Sequence, residues 1–563
     1  MKQYPKYPAP ALSNLKEFAS YCVGKHGDHD AFRIRQNAKE YVSVSYNRFY
    51  GHLRALGTYF IKMQSLDAKI AVLGENCYEW VVTYLAAVNS NHTIVPIDKD
   101  LEAESILGII RKTGAAAFFF TETYADIGEY VQNAGACNLF VNMTPDTQGR
   151  QGMAHFYDLL GQGEEYLQAG DRSFDEAAVD ENKACTIIYT SGTMGASKGV
   201  MLSHKNLVCN DIESVKYIQL RPYEDVILSI MPLHHAYEFE SSIMGSLFYG
   251  CPVGFNDGLK NFAGNLKLFR PSVLYVVPLL AESLYKKIRD TARERGMEKK
   301  LAAAIRLSNF LLHLGIDVRR VLFRQVLEGV GGRLRLMICG GAPLGRHIAK
   351  QMREIGILLL QGYGLTECSP LVSTNRIRYY KDNTVGMVVD CCTVRIIDPE
   401  THAQCGPGRE GEIQVSGDSV MLGYYSDPEA TAAVFDGRWL KTGDLGYFDG
   451  DFLILTGRLK NQIILQNGKN ISPEELEMML LEHDIIKEAV VVAGSGNHVR
   501  AVIFPNEAVS AKMDRESLTR LLQDAVDRVN DRLPYYKQIA EFTVRDTAFE
   551  KTTTKKIMRY KIH

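Results

Sequence analysis

Ile70-Ala71-Val72-Leu73-Gly74, the helical pattern from Tyr78 to Val88, and Thr93-Ile94-Val95-Pro96-Ile97 together decide the fold. A short β-like run stops at a glycine, an apolar helical stretch follows, and a second β-like run completes the unit. Upstream, Phe49, Leu53, Leu56, Tyr59 and Phe60 recur at helical spacing before the first run. Downstream, Ile106 to Thr113 precedes Ala115 to Phe120, and Leu266 to Phe269 precedes Val273-Leu274-Tyr275-Val276-Val277. Such alternation predicts an α/β chain whose sheets are largely parallel and covered by helices.

At 563 residues the chain exceeds a single core of roughly 100–200 residues, so several packed subdomains are expected. Beyond about Thr384 the pattern changes to short strands such as Val394-Arg395-Ile396-Ile397 and Glu412-Ile413-Gln414-Val415, read as a small β subdomain over about 384–459. From Lys460 a compact α+β unit begins, with a helix after Ser472-Pro473, strands at Glu488 to Val492 and Val499 to Phe504, and a helix presenting Leu518, Leu521, Leu522, Ala525, Val526, Val529 and Leu533 on one face. The expected division is 1–459 and 460–563, joined by a short hinge at Lys460.

Apolar residues at 46%, charged residues at 23% and a net charge of −2 describe a globular protein without the basic excess that nucleic acid requires. Eleven cysteines include no C-x-x-C pair, which argues against a zinc or disulfide framework and fits a reducing cytoplasm. The start, Met1-Lys2-Gln3-Tyr4-Pro5-Lys6, lacks a secretory apolar core, and no apolar run reaches the ~20 residues that span a bilayer.

Thr190-Ser191-Gly192-Thr193-Met194-Gly195-Ala196-Ser197-Lys198-Gly199 follows the apolar run Ala184 to Tyr189. Its glycines let backbone N–H groups approach a phosphate, its hydroxyls add donors, and Lys198 adds charge; the bland alternative is a flexible turn. It is no Walker A sequence, and Val200-Met201-Leu202 reads as a second strand, so a hairpin loop is predicted. Gly340-Gly341-Ala342-Pro343 follows Arg335 to Ile338, and Gln361-Gly362-Tyr363-Gly364-Leu365-Thr366-Glu367 follows Ile357 to Leu360; both are read as tight turns at strand ends, where open parallel sheets gather ligands. In Trp439-Leu440-Lys441-Thr442-Gly443-Asp444 a carboxylate at a glycine turn can accept two hydrogen bonds from ribose hydroxyls.

Tyr189 to Val200 resembles the ATP-binding signature of the adenylate-forming superfamily of acyl-CoA synthetases, luciferases and peptide-synthetase adenylation domains. It departs at Met194 and Ser197, where the family usually has Thr and Pro, and altered loop mobility is expected from the exchange. The resemblance implies phosphate contacts from Thr190, Ser191, Gly192, Thr193, Gly195 and Lys198, with Lys198 guiding the departing pyrophosphate. It implies that Gly341, Ala342 and Pro343 line the adenine and that Tyr363, between Gly362 and Gly364, stacks on it. Thr366 would touch the α-phosphate, Glu367 would hold Mg²⁺, Asp444 would take the ribose, and Arg458 is a second candidate for the nucleotide. His235, in Pro232-Leu233-His234-His235-Ala236-Tyr237-Glu238-Phe239, would line the junction of acyl pocket and α-phosphate; a satisfied core cluster is the alternative.

The closing tract Lys551-Thr552-Thr553-Thr554-Lys555-Lys556-Ile557-Met558-Arg559 resembles the family's catalytic-lysine motif, and alignment on Thr552, Thr554 and Ile557 selects Lys556, with Lys555 at the usual glycine position. Lys460 matches the family's hinge residue, while Asn461 stands where an acid is common. Asn467-Gly468-Lys469-Asn470-Ile471 and His234 to Phe239 look like long-chain acyl-CoA synthetase versions, Gly468 letting the thiol arm of coenzyme A pass. No Asp stands between Pro232 and Phe248 to pair a substrate amine. The implied activity is ATP- and Mg²⁺-dependent conversion of a medium- or long-chain fatty acid to acyl-AMP, then to acyl-CoA. An acyl-carrier protein as acceptor, or a nonenzymatic acyl or nucleotide sensor, are the rivals. Ala302 to Leu327 is apolar, helical and carries Arg306, Arg319, Arg320 and Arg324: either a surface helix with solvated arginines or a peripheral contact with the inner face of an anionic membrane.

Overall fold

A computed structural model describes the chain except for residues 1–3, 64–67, 146, 148–149, 191–196, 259, 295, 297, 343, 466–468, 495–497, 512, 552–556 and 563, and except for the side chains at 63, 291, 294, 346, 508 and 560. The unit read first from sequence is where expected. Lys69–Leu73 and Thr93–Pro96 pair in parallel, and between them the helix Tyr78–Asn89 is buried at every residue. A helix with Trp80, Val81, Val82, Tyr84, Leu85 and Val88 distributed around its axis has no solvent face to offer, so it becomes an interior layer.

Around this layer stand two large sheets. The first has eight strands in the order Gly423–Tyr424, Lys198–Ser203, Ala184–Thr190, Thr93–Pro96, Lys69–Leu73, Ala115–Phe120, Leu139–Asn142, Ala154–His155. The second has nine, in the order Met387–Val388, Leu371–Thr374, Leu358–Gly364, Leu336–Cys339, Val273–Val276, Ile227–Ser229, Val253–Phe255, Asp30–Arg35, Tyr41–Ser45. Parallel pairing runs through the middle of both; antiparallel strands close both ends of the nine-stranded sheet and one end of the eight-stranded sheet, whose other end, Ala154–His155, pairs in parallel. An antiparallel sheet of Cys392–Ile397, Gly411–Gly417, Trp439–Asp449, Phe435–Asp436 and Phe452–Arg458 follows. The fold is therefore α/β, with parallel-rich sheets, helices over them, and a small β unit.

From residue 463 a separate apolar cluster forms, in which Ile471, Leu476, Leu480, Val499, Ile503, Leu522, Val526 and Val529 are buried against a three-stranded sheet. The helix Arg515–Asn530 supplies Leu522, Ala525, Val526 and Val529 as expected, but Leu521 faces outward at 39% exposure, because the packed stripe is narrower than the apolar pattern.

Three local readings are corrected. Gly362, Tyr363 and Gly364 continue the strand Leu358–Gly364 instead of turning after Leu360, because Gly362 to Gly364 pair with the returning strand Leu371–Thr374. That hairpin is so close that a Cβ on Gly364 would stand 2.0 Å from the Pro370 carbonyl oxygen, so glycine there serves close approach. The turn comes later, at the 3₁₀ segment Thr366–Cys368. Ala302 to Leu327 is not one helix: Glu298–His313 stops at Gly315, φ +80°, where Gly315 N–H bonds Leu312 O and Ile316 N–H bonds Leu311 O. Two short helices, Arg319–Leu322 and Arg324–Glu328, follow. Asp444 lies within the long strand Trp439–Asp449, where a bulge at Gly443 takes the place of the glycine turn read from sequence, as described next.

Candidate functional site

Ala184–Thr190 and Lys198–Ser203 pair antiparallel, and the last register pair, Thr190 with Lys198, defines a hairpin mouth. Ser191, Gly192, Thr193 and Gly195 lie outside the described residues, as do Pro343, Gly468, Lys555 and Lys556. Ser197 Oγ donates to Thr190 O at 3.2 Å, across that mouth. Lys198 Nζ stands 4.9 Å from the centre of the Tyr424 ring, and Tyr424 Oη donates to Glu367 Oε1 at 3.0 Å. Tyr424 thus links the hairpin to the carboxylate singled out for the metal.

Beneath the turn after Leu336–Cys339, Tyr237 Oη donates to Ile338 O at 2.8 Å, and its ring would lie 3.2 Å from a Cβ on Gly340. Gly341 holds φ +81°, a conformation that favours glycine. Tyr237 opens a π-helix, Tyr237–Met244, from which Glu238 and Glu240 point into the interior. Burial pushes the Glu238 carboxyl up to about 8. Burial also raises Glu240, as it does Asp211 on the helix His204–Tyr217, whose carboxyl meets that of Glu240, so this pair holds a shared proton. Tyr84 Oη reaches Glu240 at 3.5 Å and Thr186 Oγ1 at 2.7 Å. Of the two adjacent histidines, His234 is buried beside Asp98 at 3.3 Å with its pKa well depressed by burial, and His235 lines the cleft.

Asp444 owes its aim to a β-bulge. Glu412 pairs with Leu445 and Gln414 with Lys441, so one step on Gly411–Gly417 faces a longer excursion of the partner strand that includes Gly443 at φ +69°. The bulge places Asp444 Oδ2 2.8 Å from the donating Tyr363 Oη, and Asp444 Oδ1 2.7 Å from Arg458 Nε, its cross-strand neighbour. Tyr363 and Asp444 are each only 6% exposed, so the carboxylate is a buried acceptor, and its charge is balanced by one guanidinium.

Thr190, Lys198, His235, Gly341, Ala342, Gly362, Tyr363, Gly364, Thr366, Glu367, Asp444, Arg458 and Lys460 all line one cleft of about 2850 Å³. This exceeds the ~300–1,000 Å³ of an ordinary small-molecule pocket, leaving room for a nucleotide beside a second substrate. Lys551 and Ile557, which flank the Thr552 to Lys556 segment and bridge to each other, line it too. Part of the lining is apolar: Val215, Ile218, Leu220, Tyr249 and Tyr275 contribute to it with Ser214, Ser241 and Gly245, and neither Glu238 nor Glu240 is among the lining residues. Lys460 sits in the 3₁₀ turn Leu459–Asn461, its pKa lowered first by burial and then by Arg458, and Asn461 Nδ2 donates to Glu474 Oε1 at 2.6 Å. Sequence reasoning missed Tyr237, Tyr424 and Thr442, whose Oγ1 accepts from Asp444 N–H at 3.0 Å. Thr442, beside Asp444, and Tyr237, two residues after His235, stood in motifs already quoted, without a role of their own. Tyr424 is brought in by tertiary pairing.

The sequence profile of the AMP-binding enzyme family matches residues 20–425, and that of the AMP-binding enzyme C-terminal domain matches residues 460–563. A long-chain-fatty-acid–[acyl-carrier-protein] ligase of Arabidopsis thaliana is 26% identical over 84% of this chain and 73% of its own. The long-chain-fatty-acid–CoA ligase FadD15 of Mycobacterium bovis is 29% identical over 83% and 77%. Among solved structures, an anthranilate CoA ligase bound to anthranoyl-AMP superposes with a TM-score of 0.78 at 20% identity, covering 98% of this chain and 97% of that one. ATP-bound MatB of Rhodopseudomonas palustris superposes at 0.75 with 22% identity, covering 97% and 98%. Both share the fold. The chain belongs to the AMP-binding enzyme family and is an adenylate-forming ligase that resembles fatty acyl-CoA synthetases.

Proposed function

We propose that this ligase activates a medium- or long-chain fatty acid with ATP, releasing pyrophosphate, and passes the acyl group from acyl-AMP to coenzyme A. The observation that carries the reading is the continuity of the cleft: the residues proposed for the nucleotide, Gly341, Tyr363, Thr366, Asp444 and Arg458, share it with the apolar residues Val215, Ile218, Leu220, Tyr249 and Tyr275. Long-chain fatty-acid ligases among the relatives support the same substrate class.

In this reading the ribose hydroxyls bond Asp444, Gly341 and Ala342 border the adenine, and the substrate carboxylate enters past His235 and attacks the α-phosphorus. Charge builds on the phosphoryl oxygens, and pyrophosphate leaves toward the hairpin mouth between Thr190 and Lys198. Lys556 neutralises the charge on the attacked phosphate, and Thr366 orients it. Glu367 suits a Mg²⁺ ion held by one carboxylate with phosphates and water, since no group of three metal-ligating side chains exists among the described residues. When bound, such an ion would offset triphosphate charge. The chain divides at Lys460 into 1–459 and a mobile 460–563, a division supported by the separate apolar cluster beyond residue 463. Rotation there withdraws Lys556 and brings Gly468 to the cleft for the thiol.

A second reading, transfer to an acyl-carrier protein, is favoured by the Arabidopsis relative. Products formed from palmitate and ATP decide between them. With coenzyme A the expected products are palmitoyl-CoA and AMP; formation of acyl-carrier thioester only would replace the first reading with the second.

A further inference from the structure

Cys209, on the helix His204–Tyr217, meets Cys391, the residue before the strand Cys392–Ile397, at a place outside the nucleotide cleft. The two thiols hydrogen-bond to each other, and Asn210 Nδ2 donates to Cys391 Sγ at 3.8 Å. Cys209 Sγ also donates to Asn206 O at 3.2 Å. Cys392 is buried and turned inward, its Sγ donating to Val372 O at 3.7 Å and Val389 O at 3.6 Å. Cys209 and Cys391 are each only half-buried, so a small oxidant reaches both.

Reactivity separates the partners, because the thiolate is the nucleophile. Hydrogen bonds from Cys209 first, then from Cys392, lower the Cys391 pKa against its burial. Cys209 is raised, first by its hydrogen bond with Cys391 and then by burial. Burial raises the thiols of Cys22, Cys137, Cys185 and Cys251 as well. We infer that Cys209 and Cys391 form a reversible oxidation site for hydroperoxides, in which Cys391 attacks the peroxide and Cys209 closes the disulfide. The Cys391 thiolate attacks a peroxide oxygen, the O–O bond breaks, hydroxide leaves, and a sulfenic acid remains on sulfur. The Cys209 sulfur then attacks that sulfur; the S–O bond breaks, the S–S bond forms, and the Cys209 proton departs with the hydroxide as water. Two electrons pass from the thiols to the peroxide, so two thiols and one hydrogen peroxide become one disulfide and two waters. A dithiol reverses the step by exchange.

Asn210, the neighbour of Cys209, connects this pair to the cleft. Its Oδ1 accepts from Leu371 N–H at 3.0 Å, and its Nδ2 donates to Leu371 O at 2.7 Å and to Cys368 O at 3.3 Å. It thereby holds the chain as it leaves the 3₁₀ segment that carries Thr366 and Glu367. An S–S bond of ~2.05 Å draws the two sulfurs inside nonbonded contact, which shifts Asn210 and, with it, that turn. Oxidation therefore slows adenylation, an effect that, unlike the disulfide itself, rests on the role proposed for Glu367.

The reduced full chain is treated with hydrogen peroxide, the remaining thiols are blocked with iodoacetamide, and peptides are mapped by mass spectrometry. A linked Cys209–Cys391 peptide that dithiothreitol separates is expected, as is a sulfenic acid at Cys391, captured by dimedone, in Cys209→Ser. Cys391→Ser should give neither, and unchanged thermal unfolding of both reduced variants shows that they fold. Acid-dependent pyrophosphate release by the native chain should fall about fivefold or more on oxidation and recover with dithiothreitol, while Cys209→Ser keeps its rate in peroxide. No linked peptide, a Cys391–Cys392 disulfide in its place, or dimedone capture at Cys209 would overturn the pair. Linkage that leaves pyrophosphate release unchanged would overturn its hold on the site, whereas a chain inactive even when reduced would count against the proposed function and leave the peptide map to decide the pair.

Discussion

Asp444 accepts from the Tyr363 hydroxyl with one oxygen and forms an ion pair with Arg458 through the other, and a carboxylate retains further lone pairs for a ribose. Asp444→Ala removes a charged acceptor at which each hydrogen bond is worth about 1.5–3 kcal/mol, so kcat/KM for ATP should fall about 10- to 100-fold, mostly through KM. Steady-state kinetics with ATP varied checks this; an unchanged KM would place the ribose elsewhere. For Lys556→Ala the expected outcome is a split: pyrophosphate release is lost, while thioester formation from supplied acyl-adenylate persists, since only the first half-reaction needs that amine. Equal loss of both halves would point to Lys555 or to a structural role. At this scale the candidate residues that share the cleft were legible where they stand in a contiguous motif, as in Tyr363 to Glu367, or beside one glycine, as at Asp444. Tyr424 was not legible, because it reaches Glu367 only after Gly423–Tyr424 joins the edge of a sheet against Val200 and Met201, more than two hundred residues upstream in sequence.

Elements carry the next level of constraint. The π-helix Tyr237–Met244 buries Glu238 and Glu240 in protonated form, and Asp211 reaches Glu240 from the neighbouring helix. The folded chain holds protons here that the unfolded chain releases, so stability is lost as pH climbs from the ordinary carboxyl value of 4.5 through about 8. Melting temperature should therefore drop between about pH 4.5 and 8, and Glu238→Gln/Glu240→Gln should flatten that drop. An equally steep profile in the variant would show that these acids do not titrate on unfolding. Periodicity revealed most strands and helices of the two large sheets, since a buried layer such as Tyr78–Asn89 is apolar throughout. It could not reveal that Gly362 to Gly364 extend a strand or that Asp444 rides a bulge, because both depend on the register of a partner strand. The helix break at Gly315 had a local signal, a glycine after His313, that the apolar run on either side concealed.

In the whole molecule, one cleft joins the large sheets, the small β unit and the segment beyond Lys460, and the proposed cycle needs the last of these to move. Lys460→Pro fixes φ near −65° at the pivot and should leave acid-dependent pyrophosphate release within about twofold while slowing thioester formation at least about tenfold. Loss of both steps together would place the pivot elsewhere. The order of motifs along the chain made the architecture and family readable from sequence, whereas Leu220, Gly245, Tyr249 and Tyr275, to which the proposed reading gives the acyl chain, come to one cleft only on folding. The central claim, that this cleft adenylates fatty acids, is tested most directly by acid-dependent ATP–pyrophosphate exchange across acids from acetate to palmitate. Exchange that rises with chain length into the medium- and long-chain acids is the expected result; no exchange with any acid would contradict the account and leave a nucleotide- or acyl-binding protein without ligase chemistry.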